Sequence, residues 1–278
     1  MPYAISSTTT ASRRLIWLDE IYRGQPLLAA VGVLLLLMMV PSVAALALDT
    51  RTLNGISVWI KPLKFQASLA TQLFTVAWAM RFLPEARRNG AFVRVLSALL
   101  AGAALFEVGY ISHQASLGEA SHYNVGTAYT RFMYAMMGVG SLILIGTTGL
   151  VGSLILRHGD RRDPMALAAG LGLVFGGVLG GITGALLSIH RGHWVGGEAS
   201  DIGGLLVFGW SRTGGDLRVA HFIGLHMMQA LPITALIARR LMSGERCRRT
   251  IMAAAVLGSG ATIAALVQAR SGLPLVPA

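Results

Sequence analysis

Cysteine is almost absent from this chain: among 278 residues, Cys247 is the single one. That excludes a disulfide framework, a cysteine-rich zinc site and a cysteine-ligated iron–sulfur cluster. Charge is scarce too. Charged residues make up 13% of the chain and hydrophobic ones 54%, whereas soluble domains carry about 25% charge. Acidic residues are the scarcer sign, 12 against 23 Lys and Arg, which leaves a formal net charge of +11. In a soluble protein that surplus would suggest nucleic acid. Here the charges fall in short segments between apolar runs, a pattern of membrane topology signals, so no nucleic-acid partner is expected. Several catalytic motifs are missing as well. There is no Walker loop, no Gly-x-Ser-x-Gly elbow, no His-Glu-x-x-His and no retinal-type lysine in the last apolar run. Nucleotide hydrolysis, serine hydrolysis and rhodopsin-like photochemistry therefore have no basis in the sequence. No internal repeat of the kind that marks many secondary transporters is visible.

What the chain does have is apolar runs of membrane-crossing length. They cover 27–48, 58–80, 92–113, 129–156, 165–190, 219–240 and 250–269, each near the ~20 residues that a helix needs to span a bilayer. The pattern predicts an all-α integral membrane helical bundle of about seven transmembrane helices over 27–270. It is flanked by a polar tail at 1–26, with a short interfacial helix, and a C-terminal tail at 271–278. Ala45-Leu46-Ala47 has the look of a signal-peptidase site, but the polar segment before the first run is too long for a signal peptide, so cleavage is not expected. The pairs Arg13/Arg14, Arg87/Arg88, Arg161/Arg162, Arg239/Arg240 and Arg248/Arg249 all fall in alternate connections. The positive-inside rule then places the N-terminus in the cytoplasm and the C-terminus outside a cell inner (plasma) membrane. In the fifth run, Gly172, Gly176, Gly180 and Gly184 recur at every fourth position, a stripe that lets helix backbones pack closely in lipid.

The polar residues of interest gather toward the extracytoplasmic side of this topology. In the run from His221 to Pro232, Phe222, His226 and Gln229 share one helical face, while His221 lies about 140° away from His226. Imidazoles and carboxylates in a membrane are costly and mark a bundle interior, a wet cavity or a cofactor. Glu107 is embedded in the third run on a face with Tyr110 and Gln114. His113 ends that run, His122 and Asn124 lie in the loop after it, and His190 ends the fifth. In the second run Lys61, Lys64, Ser68, Thr71 and Thr75 follow one another at helical spacing, either as snorkelling lysines over a hydroxyl-rich packing face or as a polar lining. The connection 191–218, rich in glycine and carrying Trp194 and Trp210, is expected to cap the cluster. Glu107, His113 and His226 are expected to share one pocket; if the second run is a polar lining, Lys64 would neutralise Glu107 or hold an anionic ligand.

The runs Trp59 to Phe65, Ser121 to Asn124 and Gly214 to Gln229 resemble a group of bacterial multi-pass membrane proteins without assigned activity. The resemblance implies a shared fold and brings no function with it.

Four readings of the site stay open at this point. In the first, His113, His190, His221 and His226 hold haem or a transition metal ion for redox chemistry. Glu107 and His226 would then be the reactive groups, and Lys61, Lys64, His122, Asn124 and Gln229 would line the cofactor or ligand. In the second, Glu107, Lys64 and His226 form a transport or proton/ion pathway. A zinc-dependent membrane hydrolase drawing on Glu198, Asp201 and Asp216 is the third. The fourth is a purely structural bundle whose polar groups satisfy one another. All four take the lipid bilayer as a partner; the first three add a small molecule or ion.

Overall fold

A chain in hydrocarbon must satisfy its backbone polar groups internally, so long apolar runs become helices. The computed structural model describes residues 19–160 and 162–278. Arg13, Arg14 and Arg161 lie outside the described residues, as does the part of the expected 1–26 tail before residue 19. Residues 19–24 are helical and lead into α1, Pro26–Leu48, which starts on a first-turn proline after Gln25 caps Leu27 N. A two-strand hairpin, β1 (Thr52–Leu53) and β2 (Ile56–Ser57), turns through Asn54 and Gly55, both at positive φ, into α2, Ile60–Ala79. Helix α3, Ala91–Leu117, ends at Gly118 in the left-handed region (φ 76°). A reciprocal cap between Thr127 and Thr130 opens α4, Ala128–His158, and Asp163 caps α5, Pro164–His190. After the long loop come α6, Leu217–Leu225, α7, Met227–Leu241, and α8, Gly244–Arg270; within that loop β3 (Trp194–Val195) pairs with β4 (Gly215–Asp216).

Helices α1, α3, α4, α5 and α8 are each long and apolar enough to cross a membrane, and α6 with α7 makes a sixth if the bent pair counts as one. The all-α architecture expected from the apolar runs is therefore present. Helix α2 has the length but is diluted by Lys61, Lys64, Gln66, Gln72 and three hydroxyl residues. A second departure concerns 219–240, where one continuous helix is expected. The chain instead bends by 48° at His226. His226 sits at φ −75°, ψ 1°. The Gln229 amide reaches back to the His226 carbonyl, three residues away, instead of four. Pro232, the visible breaker, is accommodated inside α7.

The glycine stripe explains where that bend rests. A Cβ on Gly172 would lie 2.9 Å from the Met227 carbonyl oxygen, one on Gly176 3.0 Å from the Leu225 oxygen, and one on Gly184 3.1 Å from the His221 ring. The stripe of α5 is thus the bed of the broken helix. Another face of α5 meets α4, with Gly152 against the Gly170 carbonyl and Gly177 against Gly149. Helices α1, α2 and α3 pack together and α3 joins them to α4, whereas α2 meets α4 and α5 only along a narrow seam.

Contacts define the two ends of the bundle. At one end gather the β1–β2 hairpin, the loop 118–127, the long loop and the C-terminal residues: Arg51 Nη2 donates to the Ser116 carbonyl (3.0 Å), Asp201 N to the Asn54 carbonyl (3.1 Å), and Arg212 Nη2 to the Pro277 carbonyl (2.8 Å). At the other end Arg81 pairs with Glu20, and Gly24 lies against the Ala77 carbonyl.

Candidate functional site

Helix α2 supplies polar side chains to most of its neighbours. Gln66 Nε2 donates to Ser42 Oγ on α1 (2.8 Å), Gln72 Nε2 to Thr148 Oγ1 on α4 (2.9 Å), and Thr75 Oγ1 accepts from Gln229 Nε2 on α7 (2.9 Å). At its long-loop end Lys64 Nζ donates to the Phe208 carbonyl (2.7 Å) and Lys61 Nζ lies 3.0 Å from His122 Nδ1. An ammonium can only donate, so the His122 nitrogen is the acceptor and its ring is neutral in this contact. A polar helix at the seam of an apolar bundle is held by such pairs, each replacing an unmet polar group in hydrocarbon.

Glu107 is the carboxyl of this assembly. It is 1% exposed, and apart from the approach of the Ser141 hydroxyl its oxygens have no hydrogen-bond partner among the described residues. Lys61 from α2 and Ser141 from α4 are the polar groups that face it. Gly140 of α4 makes room, since a Cβ there would come within 2.6 Å of Glu107 Oε1. The cation beside Glu107 is therefore Lys61, not Lys64, whose ammonium is drawn off by the loop. Around Lys61 and His122 stands an aromatic wall of Phe65, Tyr123 and Tyr134; Tyr123 Oη donates to the Leu187 carbonyl (3.2 Å). Burial, with the Lys61 charge beside it, holds the His122 imidazole well below its ordinary pKa, and burial pushes the Tyr123 hydroxyl up to about 12.

His226 forms a second centre. Its Nδ1 lies 3.1 Å from Gln229 Oε1, its ring lies 4.1 Å from that of Phe222, and Gln229 passes the connection on to Thr75. The face shared by Phe222, His226 and Gln229 is as the spacing predicts. Phe222 also contacts Phe208 and Trp210 of the long loop, which thereby packs on the residue beside the His226 ring.

The remaining histidines do not join either centre. His113 and His190 are exposed at helix ends, which removes His113 from the pocket expected for it. No hydrogen bond or ion pair links Glu107 to His226. His221 Nδ1 lies 3.1 Å from Thr183 Oγ1, at the α5–α6 packing face. Asn124 closes its own loop, donating to the Ala120 carbonyl (3.1 Å). Among the described residues no three His, Cys, Asp or Glu side chains are placed to share a metal ion.

Asp201 and Asp216, set down as candidate zinc ligands, instead belong to an ion-pair cluster around Arg218, a residue the expectations did not single out. Arg218, in the first turn of α6, donates to Asp216 (2.7 Å), to Asp201 (2.9 Å) and to the Gly209 carbonyl (2.7 Å), and His193 approaches Asp201 at 3.4 Å. Burial alone would raise the Asp201 pKa, but the His193 and Arg218 contacts prevail and hold it below the usual carboxylate range. The signal was present in the sequence, because an arginine at a helix start opposes the macrodipole and needs carboxylates nearby. No family model, no curated protein and no solved structure matches the chain.

Proposed function

We propose that the chain is a seven-span protein of the cell inner membrane, N-terminus in the cytoplasm and C-terminus outside, that passes protons or a small ion along α2. The observation that carries the proposal is Glu107, a fully buried carboxyl whose polar neighbours are Lys61 and Ser141, at the outer end of a row of polar side chains. Intramembrane carboxyls of this kind belong to ion and proton pathways more often than to packing. Further along α2, Gln72 pairs with Thr148 and Thr75 accepts from Gln229, which in turn meets His226. The bend at His226 adds support, because interrupted helices in membranes are tolerated where backbone is buried in protein or lines a path, and mark many transport sites. Helix α2 counts as the seventh span in this proposal. Its 20 residues rise about 30 Å at ~1.5 Å each, and its two ends meet the two ends of the bundle.

The test is proton flux into liposomes that hold the purified protein and a trapped pH-sensitive dye. With an imposed membrane potential, we expect flux above that of empty liposomes, lowered at least ~10-fold in Glu107→Gln. An absorption spectrum and metal analysis of the same preparation address the haem or metal reading of His113, His190, His221 and His226. A Soret band or stoichiometric metal that vanishes in His226→Ala, with no flux in the wild type, would overturn the proposal.

A further inference from the structure

Glu107 belongs to a file of buried polar atoms on α3. Tyr110 and Gln114 follow it on the same face, 5% and 1% exposed. The Tyr110 hydroxyl and Gln114 Oε1 have no hydrogen-bond partner among the described residues, and the Glu107 oxygens have at most the Ser141 hydroxyl. Buried groups of this kind are normally satisfied by water, the smallest molecule that can serve several of them. The file has an outlet. Gln114 Nε2 donates to the Ala120 carbonyl (3.1 Å) and reaches toward Glu119 Oε2 (3.4 Å), and Glu119 is exposed in the loop after α3. By axial rise Glu107 sits about 15 Å below the end of α3, with Tyr110 and Gln114 at intermediate depths.

The other way out from Glu107 leads past Lys61, which cannot accept a proton while charged and which already holds His122 Nδ1. A fixed cation there also repels an incoming one. The groups that act on the Tyr110 hydroxyl are Tyr129 and Glu119, and its walls are Phe65, Phe106, Met133 and Met137.

We propose that Tyr110 and Gln114 hold bridging water between Glu119 and Glu107 and that this is the route by which protons reach Glu107 from the long-loop face. A proton from outside adds to the first water, each oxygen along the file accepts one proton and releases another, and the Glu107 carboxylate takes up the last to become a neutral carboxyl. The Tyr110 hydroxyl can itself pass a proton. Gln114 is a positioning residue, anchoring the outer water through its carbonyl oxygen. The inference rests on the proton-pathway reading above, but its test is separable from it.

The readout is the infrared carboxyl band of the reconstituted protein, assigned to Glu107 by its loss in Glu107→Gln, after a jump in external pH. Tyr110→Phe removes one oxygen from a ring whose packing stays, and Gln114→Leu removes the amide; thermal unfolding confirms that both variants fold. We expect the wild-type band to follow the jump and each variant to follow at least ~10-fold more slowly. Variants that respond as fast as wild type overturn the route, and so does a wild-type Glu107 band that ignores external pH. Liposomes without proton flux but with an intact, variant-sensitive band would sink the proton-pathway reading and leave this access route standing.

Discussion

His122 shows how one side chain at the membrane boundary ties the site to pH. Its ring is half-buried beside Phe65 and Tyr134, and its Nδ1 accepts from Lys61. Burial and the neighbouring ammonium both oppose a second proton, so the folded-state pKa lies well below the ordinary 6.5. In the unfolded chain the ring titrates normally. Between the ordinary value and the lowered one the unfolded state binds the extra proton, so stability is full above pH 6.5 and falls as the pH drops below it. The greatest slope for one such group is about 1.4 kcal/mol per pH unit. We expect the melting temperature in detergent to fall from pH 7.5 to 5, and His122→Asn to lose part of that fall; equal slopes in the two proteins would refute the assignment. Asp201 works in the opposite range. Its pKa is depressed by His193 and Arg218 despite burial, so its contribution persists through this window and is lost only in stronger acid.

Among the elements, α5 has the plainest sequence-to-structure logic. Its every-fourth glycine pattern was readable as a packing stripe, and the stripe seats the broken helix. The break itself was not readable. Pro232 looks like the interruption, yet the bend falls at His226, where backbone dihedrals answer to the bed of α5 and the cap of Phe208 and Trp210. The grouping of Phe222, His226 and Gln229 was legible because helical spacing fixes it locally. The exposure of His113, and the choice of Lys61 over Lys64, depend on which helices become neighbours and on a loop carbonyl at Phe208 that no spacing encodes. The glycines also separate into two classes that mutation distinguishes. A Cβ on Gly152 would stand 2.7 Å from the Gly170 carbonyl oxygen, against backbone that cannot yield. Gly146, on the same helix α4, has nothing within 4 Å. We expect Gly152→Ala to destabilise the bundle by about 1–3 kcal/mol through overpacking, and Gly146→Ala to be neutral or to stabilise it by up to ~1 kcal/mol through helix propensity. Thermal unfolding in one detergent compares them; equal and small effects would mean that α4 and α5 do not cross as described.

At the scale of the whole molecule the question is which way the two ends face. In the orientation proposed above, the end that gathers Arg87, Arg88, Arg157, Arg239 and Arg240 is the cytoplasmic one by charge, and the long-loop end is then outside. That assignment holds only if α2 crosses, because a chain whose second helix lay on the surface would carry every later connection to the opposite side. The polarity that keeps α2 out of the apolar class is the polarity that pairs it with Ser42, Thr148 and Gln229, so its cost in lipid is offset by partners inside the protein. The chain suits a direct test, since its one cysteine, Cys247, is buried. On a Cys247→Ser background, Glu198→Cys in the long loop and Glu85→Cys before α3 are both at exposed positions. A membrane-impermeant maleimide applied to intact cells should label Glu198→Cys at once and Glu85→Cys only after the membrane is opened. The reverse order would invert the bundle and turn the file from Glu107 toward the cytoplasm. Labelling of both from outside would place the two loops on one face, which a crossing chain from α3 to α5 cannot do, and would remove the basis for any pathway along α2.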